Sequence, residues 1–500
     1  MKHSSVRKAG NINNSDFTRH PKVLKCIADL KEKFGENFER LIVSDTLDEH
    51  GHQYVNVVQK GGGILGVALV GYTYILEQAG IRFLRLAGTS AGAINTALLV
   101  VIGRKEETKS ERILEYLRGL DFFKFVDGHP FVRWLIRNFI THKQFDQKLR
   151  QWFFGLIFIL LGLTVTNFVF LGLRPYFPWA VIAFRVSYIL TAIHLAFITC
   201  IVIYGNRLLD SLRKGGHGIN PGKYFYKWIE RIMDENGVCT VTQLNEKAAT
   251  IPLLKVRHPD TQNADTLCGD VTFITSEVAS QNKIEFPKMC NLFREDPDEL
   301  HPAHFVRASM SIPIFFESHI IKDIPRKSQK IKDAWMQHFG TDEKIPKKAR
   351  FVDGGMMSNF PINMFYNPKI LEPRVPSFGI DLDDSVAQTE DDDHDLVPSN
   401  LASYLGGLFN TIRYYYDKDF LIKNNVFKKG IGKIRLSEFN WLNFFISEEE
   451  KLKMFIKGAE AACDFLMAFD WIKYQEERIK MQIVLNEKAV PEAIKQHSIT

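Results

Sequence analysis

The sequence predicts an α/β fold: a mainly parallel sheet with helices on both faces, an inserted apolar helical hairpin and a helical C-terminal region. Three observations predict it. Residues 54–101 read as β-α-β-α, strands recur before glycine turns further along, and two long apolar runs stand back to back between 152 and 204.

Residues 1–50 read as a helical extension, because Val23, Leu24, Ile27 and Leu30 recur at helical spacing within Pro21 to Phe34. Tyr54 to Val58 is the first strand of the regular region, and Gly61-Gly62-Gly63 the turn after it. Val67 to Gln78 is an apolar helix ending near Gly80, Phe83 to Ala87 the second strand, and a helix runs from Ser90 to about Val101. This is the opening of a doubly wound sheet.

The hairpin is expected over 150–207. Trp152 to Leu173 carries no formal charge and is long enough to cross a bilayer. Trp179 to Tyr204 follows a proline-marked turn and carries Arg185 and His194. Lys143, Lys148, Arg150, Arg207, Arg213 and Lys214 flank the open ends, whereas the turn holds Arg174 alone, so the rest of the chain is expected on the cytoplasmic side of a membrane. Two charged or titratable residues within the runs keep a second reading open, in which the helices are buried in the core or insert without crossing.

Beyond the hairpin, Tyr224 to Met233 reads as a helix and Val271 to Thr275 as a strand. Phe305 to Ser309 begins a helix that halts at Pro313, and Arg350 to Asp353 is a strand entering a glycine turn. Ser377 to Leu382 is a further strand, closing a catalytic domain expected over 51–385. From 386 the chain reads as an acidic solvated loop, Glu390 to Asp395, then helices over Leu401 to Phe427 and Ser447 to Phe469.

Composition narrows the function classes. A net charge of +6 over 500 residues, with acids and bases interspersed, carries no nucleic-acid footprint. The six cysteines are scattered without Cys-x-x-Cys spacing, so a zinc site or disulfide framework is not expected and a reducing compartment is. Met1 to His20 lacks the apolar core of a cleaved signal.

The chemistry is concentrated in three glycine-bearing segments, each placed after a strand. Gly88-Thr89-Ser90-Ala91-Gly92 joins a strand to a helix, the setting in which a tight turn exposes a serine hydroxyl. Gly61-Gly62-Gly63 is the candidate source of backbone N–H donors for an oxyanion, and Asp353, before Gly354-Gly355, the candidate base. Each segment alone also has an ordinary reading as a turn; together they point to nucleophilic catalysis.

In these segments the chain resembles the patatin-like phospholipases. The motifs that carry the resemblance are Gly61-Gly62-Gly63-Ile64-Leu65-Gly66, Gly88 to Gly92 and Asp353-Gly354-Gly355, with echoes in Arg307 to Pro313 and Asn359-Phe360-Pro361. The resemblance implies a three-layer α/β/α sandwich and a Ser90–Asp353 dyad acting on membrane-lipid acyl esters through an acyl-enzyme. It implies an oxyanion hole built from Gly61, Gly62, Gly63, Gly66 and Ala91, and neither metal nor organic cofactor. Leu65 departs from the pattern, since many members carry Arg or Lys there. The motifs therefore imply ester hydrolysis, while Leu65 supplies no charge for a phosphate head group.

Three other readings stay open at this level. The enzyme could use a Ser90-Asp353-His394 triad of α/β-hydrolase type, since that chain order fits. Gly61-x-Gly63-x-x-Gly66 formally fits a dinucleotide fingerprint, although the second strand lacks the carboxylate that fold uses. A membrane-anchored scaffold without turnover is the third.

Overall fold

The structure, a computed structural model, describes residues 14–141, 145–258, 266–370, 372–383, 411, 415 and 417–483. Two compact units divide the chain: Met1–Phe125 with Lys223–Ile312 and Ser318–Thr500, and Val126–Gly222 with Pro313–Glu317. His394 and the acidic run Glu390 to Asp395 lie outside the described residues, as does most of the helix expected from Leu401.

Twelve strands occur among the described residues. They are β1 (Thr46–Leu47), β2 (Gln53–Gln59), β3 (Ile81–Thr89), β4 (Gly218–Asn220), β5 (Lys255–Val256) and β6 (Asp270–Glu277), then β7 (Asn282–Phe286), β8 (Ile314–Phe316), β9 (His319–Ile321), β10 (Ala349–Asp353), β11 (Ser377–Asp383) and β12 (Ile431–Arg435). The first unit is built on one sheet of order β12-β11-β2-β3-β6-β10-β9, with β7, β1 and β5 attached at its margins. Its heart is parallel, as expected: β12, β11, β2, β3 and β6 run in one direction. The β10 strand enters from the opposite end and pairs antiparallel with β6 and β9.

The residue types explain the layering. Every position of β2 is buried, and all but one of β3, which is how strands read when helices cover both faces of a sheet. The helix Val67–Gln78 is likewise buried through Glu77 and is apolar all round rather than striped. The long helix Glu448–Ala468 covers it, starting at a capping box in which Ser447 and Glu450 bond each other's backbone N–H groups. The C-terminal region is helical but also contributes β12, one strand more than its helical spacing suggests.

The second unit contains the apolar hairpin, helices Phe145–Leu173 and Pro178–Lys214, and a short parallel pair, β4 with β8. Pro178 sits at the first helical position, where its missing N–H costs nothing. The segments Gln151–Leu173 and Pro178–Arg207 have mean hydropathies of 2.4 and 2.3, and 0% and 6% of their most apolar windows are buried. Side chains such as Trp152, Phe158, Phe168 and Ile182 are more than half exposed, so these are not core helices of this chain. Two polar contacts turn inward, whereas Arg185 is exposed: Asn167 Nδ2 donates to Thr191 Oγ1 at 2.8 Å, and a His194 ring nitrogen lies 3.1 Å from the Leu156 carbonyl on the other helix. At the base of the hairpin Asn220 receives the Gly128 N–H and donates to the Phe315 carbonyl, tying β4 to β8.

Candidate active site

Ser90 stands between β3 and the helix Ala91–Val101 with φ 53° and ψ −118°. A residue with a Cβ adopts that conformation at a cost of about 1–3 kcal/mol, and only where its surroundings impose it. They do so here by close backbone approach. A Cβ on Gly88 would lie 2.4 Å from the Gly92 carbonyl carbon, and one on Gly92 would lie 2.3 Å from the Gln59 carbonyl oxygen. The helix is thereby driven against the ends of both β2 and β3, and its dipole points at Ser90. Ser90 makes no side-chain capping bond to that helix and is almost fully buried.

The Gly61–Gly66 segment lies across Ser90 and Ala91. A Cβ on Gly61 would be 3.0 Å from Ser90 Cβ, and one on Gly66 would be 3.1 Å from Ala91 Cβ. The Gly61 N–H donates to the Asn359 carbonyl at 3.0 Å, so Gly61 shapes the segment while its own donor is occupied. Gly62 and Gly63 N–H, by contrast, donate to no group among the described residues, and the same holds for Ala91 N–H at the start of its helix. Gly63 has φ 55°, and the following Ile64 N–H donates to the Trp441 carbonyl, which closes the segment from the C-terminal region. Leu65 is buried and presents no charge to this space.

Asp353 ends β10. Sheet register sets it beside Ser90: β7 takes one edge of β6, and along the other edge β3 and β10 meet end to end, with Thr89 opposite Ile274 and Asp353 opposite the next residue, Thr275. The turn after Asp353 packs directly against the end of β3, since a Cβ on Gly354 would sit 3.0 Å from the Thr89 methyl and 2.1 Å from the Ile274 carbonyl. Gly355 N–H donates to Asp353 Oδ1 at 2.7 Å, fixing the carboxylate, and Asp353 N–H donates to the Ser311 carbonyl at 2.8 Å. The chain therefore brings Ser90, Asp353, Gly61 to Gly63, Gly66 and Ala91 to one end of the sheet.

Several residues with no role legible in sequence complete this end. Ser309 Oγ accepts the Ser90 N–H at 3.0 Å and donates to the Ile274 carbonyl at 2.6 Å, so it links the strained turn to β6. Arg307, buried, donates to Ser311 Oγ at 2.6 Å. Asn359 Nδ2 donates to the Gly61 carbonyl and Thr89 Oγ1 to the Ser358 carbonyl, so segment 358–360 grips both the glycine loop and the strand before Ser90. Asp417 holds that segment in turn: its two carboxylate oxygens accept from Ser358 Oγ and Phe360 N–H, each at 2.7 Å. Burial pushes the Asp417 carboxyl up to about 6, against the opposing pull of those bonds. Ser309 and Asn359 fall inside the two echoes of the family pattern; Asp417 falls in no motif.

The family model described as Patatin-like phospholipase matches residues 57–366, which is more than half of the chain and spans all three motifs. The chain belongs to the patatin-like phospholipase family. Its activity is accordingly lipid acyl hydrolysis in the general sense of that family. Over 405 residues the chain is 23% identical to the uncharacterized protein YqhO of Bacillus subtilis (strain 168), covering 81% of this chain and 95% of that protein. It is also similar to the crystal structure of VipD from Legionella pneumophila, at 13% identity and a TM-score of 0.35, over 85% of this chain and 70% of the other.

Proposed function

We propose that this patatin-like protein is a membrane-associated serine hydrolase that cleaves fatty acyl esters with a Ser90–Asp353 dyad. The observation that carries the reading is the backbone of Ser90, held at positive φ on a helix N-terminus beside N–H groups that other residues leave available. In the first half-reaction Ser90 Oγ attacks the ester carbonyl and its proton passes to the Asp353 carboxylate. The oxyanion is received by the N–H groups of Gly62, Gly63 and Ala91. Collapse breaks the bond to the alcohol, which leaves with the proton from Asp353. In the second half-reaction Asp353 takes a proton from water, the hydroxide attacks the acyl-serine, and collapse breaks the bond to Ser90 Oγ, which takes that proton back from Asp353 as the fatty acid is released.

Glycerophospholipid and other acyl esters are both substrates of this scheme, and the uncharged Leu65 favours no head group. The apolar hairpin supports membrane association: apart from the exposed Arg185 its outer surface is mainly aliphatic and aromatic, Asn167 and His194 bond the facing helix, and both chain ends leave on one side. Product analysis by mass spectrometry tests the reading. With a mixed lipid extract, the protein releases free fatty acid and the matching lysolipid or alcohol, and Ser90→Ala releases neither. Equal release by Ser90→Ala overturns it. Deleting 150–207 lowers turnover on vesicles more than on a soluble short-chain ester; equal loss on both removes the membrane role.

A further inference from the structure

At the far end of the helix whose N-terminus carries Ser90, roughly 16 Å along its axis, lies a cavity of about 310 Å³, room for about ten water molecules. Leu86, Leu99, Val100, Ile251 and Pro252 form apolar walls. Lys105, Lys109 and Lys247 bring three amines to the same space.

These amines are unusually placed. Lys109 is buried, and its Nζ donates to the Leu99 carbonyl at 2.6 Å; Lys105 Nζ donates to the Ala248 carbonyl at 2.5 Å. A role confined to closing two helix C-termini would use one of three donors on each ammonium. Neither amine has another partner among the described residues, and neither forms an ion pair there. The nearby acids are engaged elsewhere or stand off. Glu77 accepts the backbone N–H groups of Lys109 and Ser110, Glu106 and Glu107, which also line the cavity, both pair with Arg104 at its edge, and Asp270 acts on Lys105 only beyond contact. Burial and mutual repulsion push Lys109 down to about 7, and burial pushes Lys105 down to about 8. Clustered, desolvated amines with unused donors have no carboxylate in direct contact, a place a bound anion would fill.

We propose that this cavity is a binding site for an amphiphilic monoanion, a carboxylate head on a short aliphatic chain, held by Lys105 and Lys109 with its chain against the apolar walls. The site stands independently of the Ser90 mechanism; only its natural source rests on that reading, because acyl-ester hydrolysis releases such a carboxylate. Binding at the remote end of the Ser90 helix would then report product.

The test is titration calorimetry of full-length Ser90→Ala protein with decanoate and, separately, with inorganic phosphate, at pH 8 in two buffers of different ionisation enthalpy. Ser90→Ala is used so that turnover plays no part. Decanoate is expected to bind at one site with uptake of about one proton, because carboxylate entry recharges the amines, and phosphate at least tenfold more weakly. Lys109→Met, and independently Ile251→Trp at the cavity wall, each weaken decanoate at least tenfold and abolish proton uptake; the second covers the case in which the first fails to fold. No decanoate binding, unchanged binding in Ile251→Trp, or binding without proton uptake overturns the proposal. Phosphate as tight as decanoate overturns the amphiphilic part.

Discussion

Asp417→Asn reports on how the C-terminal region supports the catalytic end of the sheet. The carboxyl is buried and titrates near 6, raised from the ordinary 3.8 mainly by desolvation. A folded state that binds the proton more tightly than the unfolded chain gains stability as pH falls through the window between those values. Between pH 7 and pH 5 the gain for this group is about 1.4 kcal/mol, close to one pKa unit's worth of differential interaction. Asparagine keeps the shape and one acceptor but does not titrate, and it brings an amide N–H toward either Ser358 Oγ or the Phe360 N–H. At pH 7 the lost bond, about 1 kcal/mol, is partly offset by removal of a buried charge, so the two proteins differ little. At pH 5 the wild type leads by about 1.4 kcal/mol more than it does at pH 7. Denaturant unfolding in detergent micelles at both values measures this as a difference of differences, which cancels the other titrating groups. Parallel curves for the two proteins would show that Asp417 does not clamp segment 358–360 as a desolvated carboxylate.

Removing the Ser309 hydroxyl (Ser309→Ala) leaves the Ser90 N–H without its acceptor, so stability falls by roughly 1–3 kcal/mol and ester turnover by at least about tenfold. A normal kcat in the folded variant would sink the role of Ser309 in holding the turn. Gly61→Ala places a methyl 2.5 Å from Asn359 Oδ1 and 3.0 Å from Ser90 Cβ; the flexible amide yields, the glycine segment shifts and kcat falls by about a hundredfold with modest loss of stability, read from kinetics and thermal unfolding together.

Local constraints were the legible ones. The strand, turn and helix around Ser90 follow from Gly88 and Gly92, whose missing side chains are a requirement of adjacent backbones, and the parallel heart of the sheet follows from apolar strands alternating with apolar helices. What escaped depends on pairing across long stretches of chain. The direction of β10 shows only in its antiparallel pairing with β6 and β9, segments distant in the chain. The β12 segment, Ile431-Gly432-Lys433-Ile434-Arg435, is short and half polar, and becomes a strand because β11 offers it a parallel edge. Asp417 meets Ser358 across 59 residues, and no spacing rule announces that a helix side chain will hold the loop behind a nucleophile. The apolar hairpin was legible from length and hydropathy alone, whereas the inward pairing of Asn167 with Thr191 needed the structure.

Covalent labelling of the intact protein with a fluorophosphonate, followed by peptide mass spectrometry, tests the proposed nucleophile most directly. The expected result is a single phosphonylated residue, Ser90, with labelling abolished in Ser90→Ala and slowed by at least about a hundredfold in Asp353→Asn. An adduct on another residue, or undiminished labelling of Ser90→Ala, would contradict the dyad.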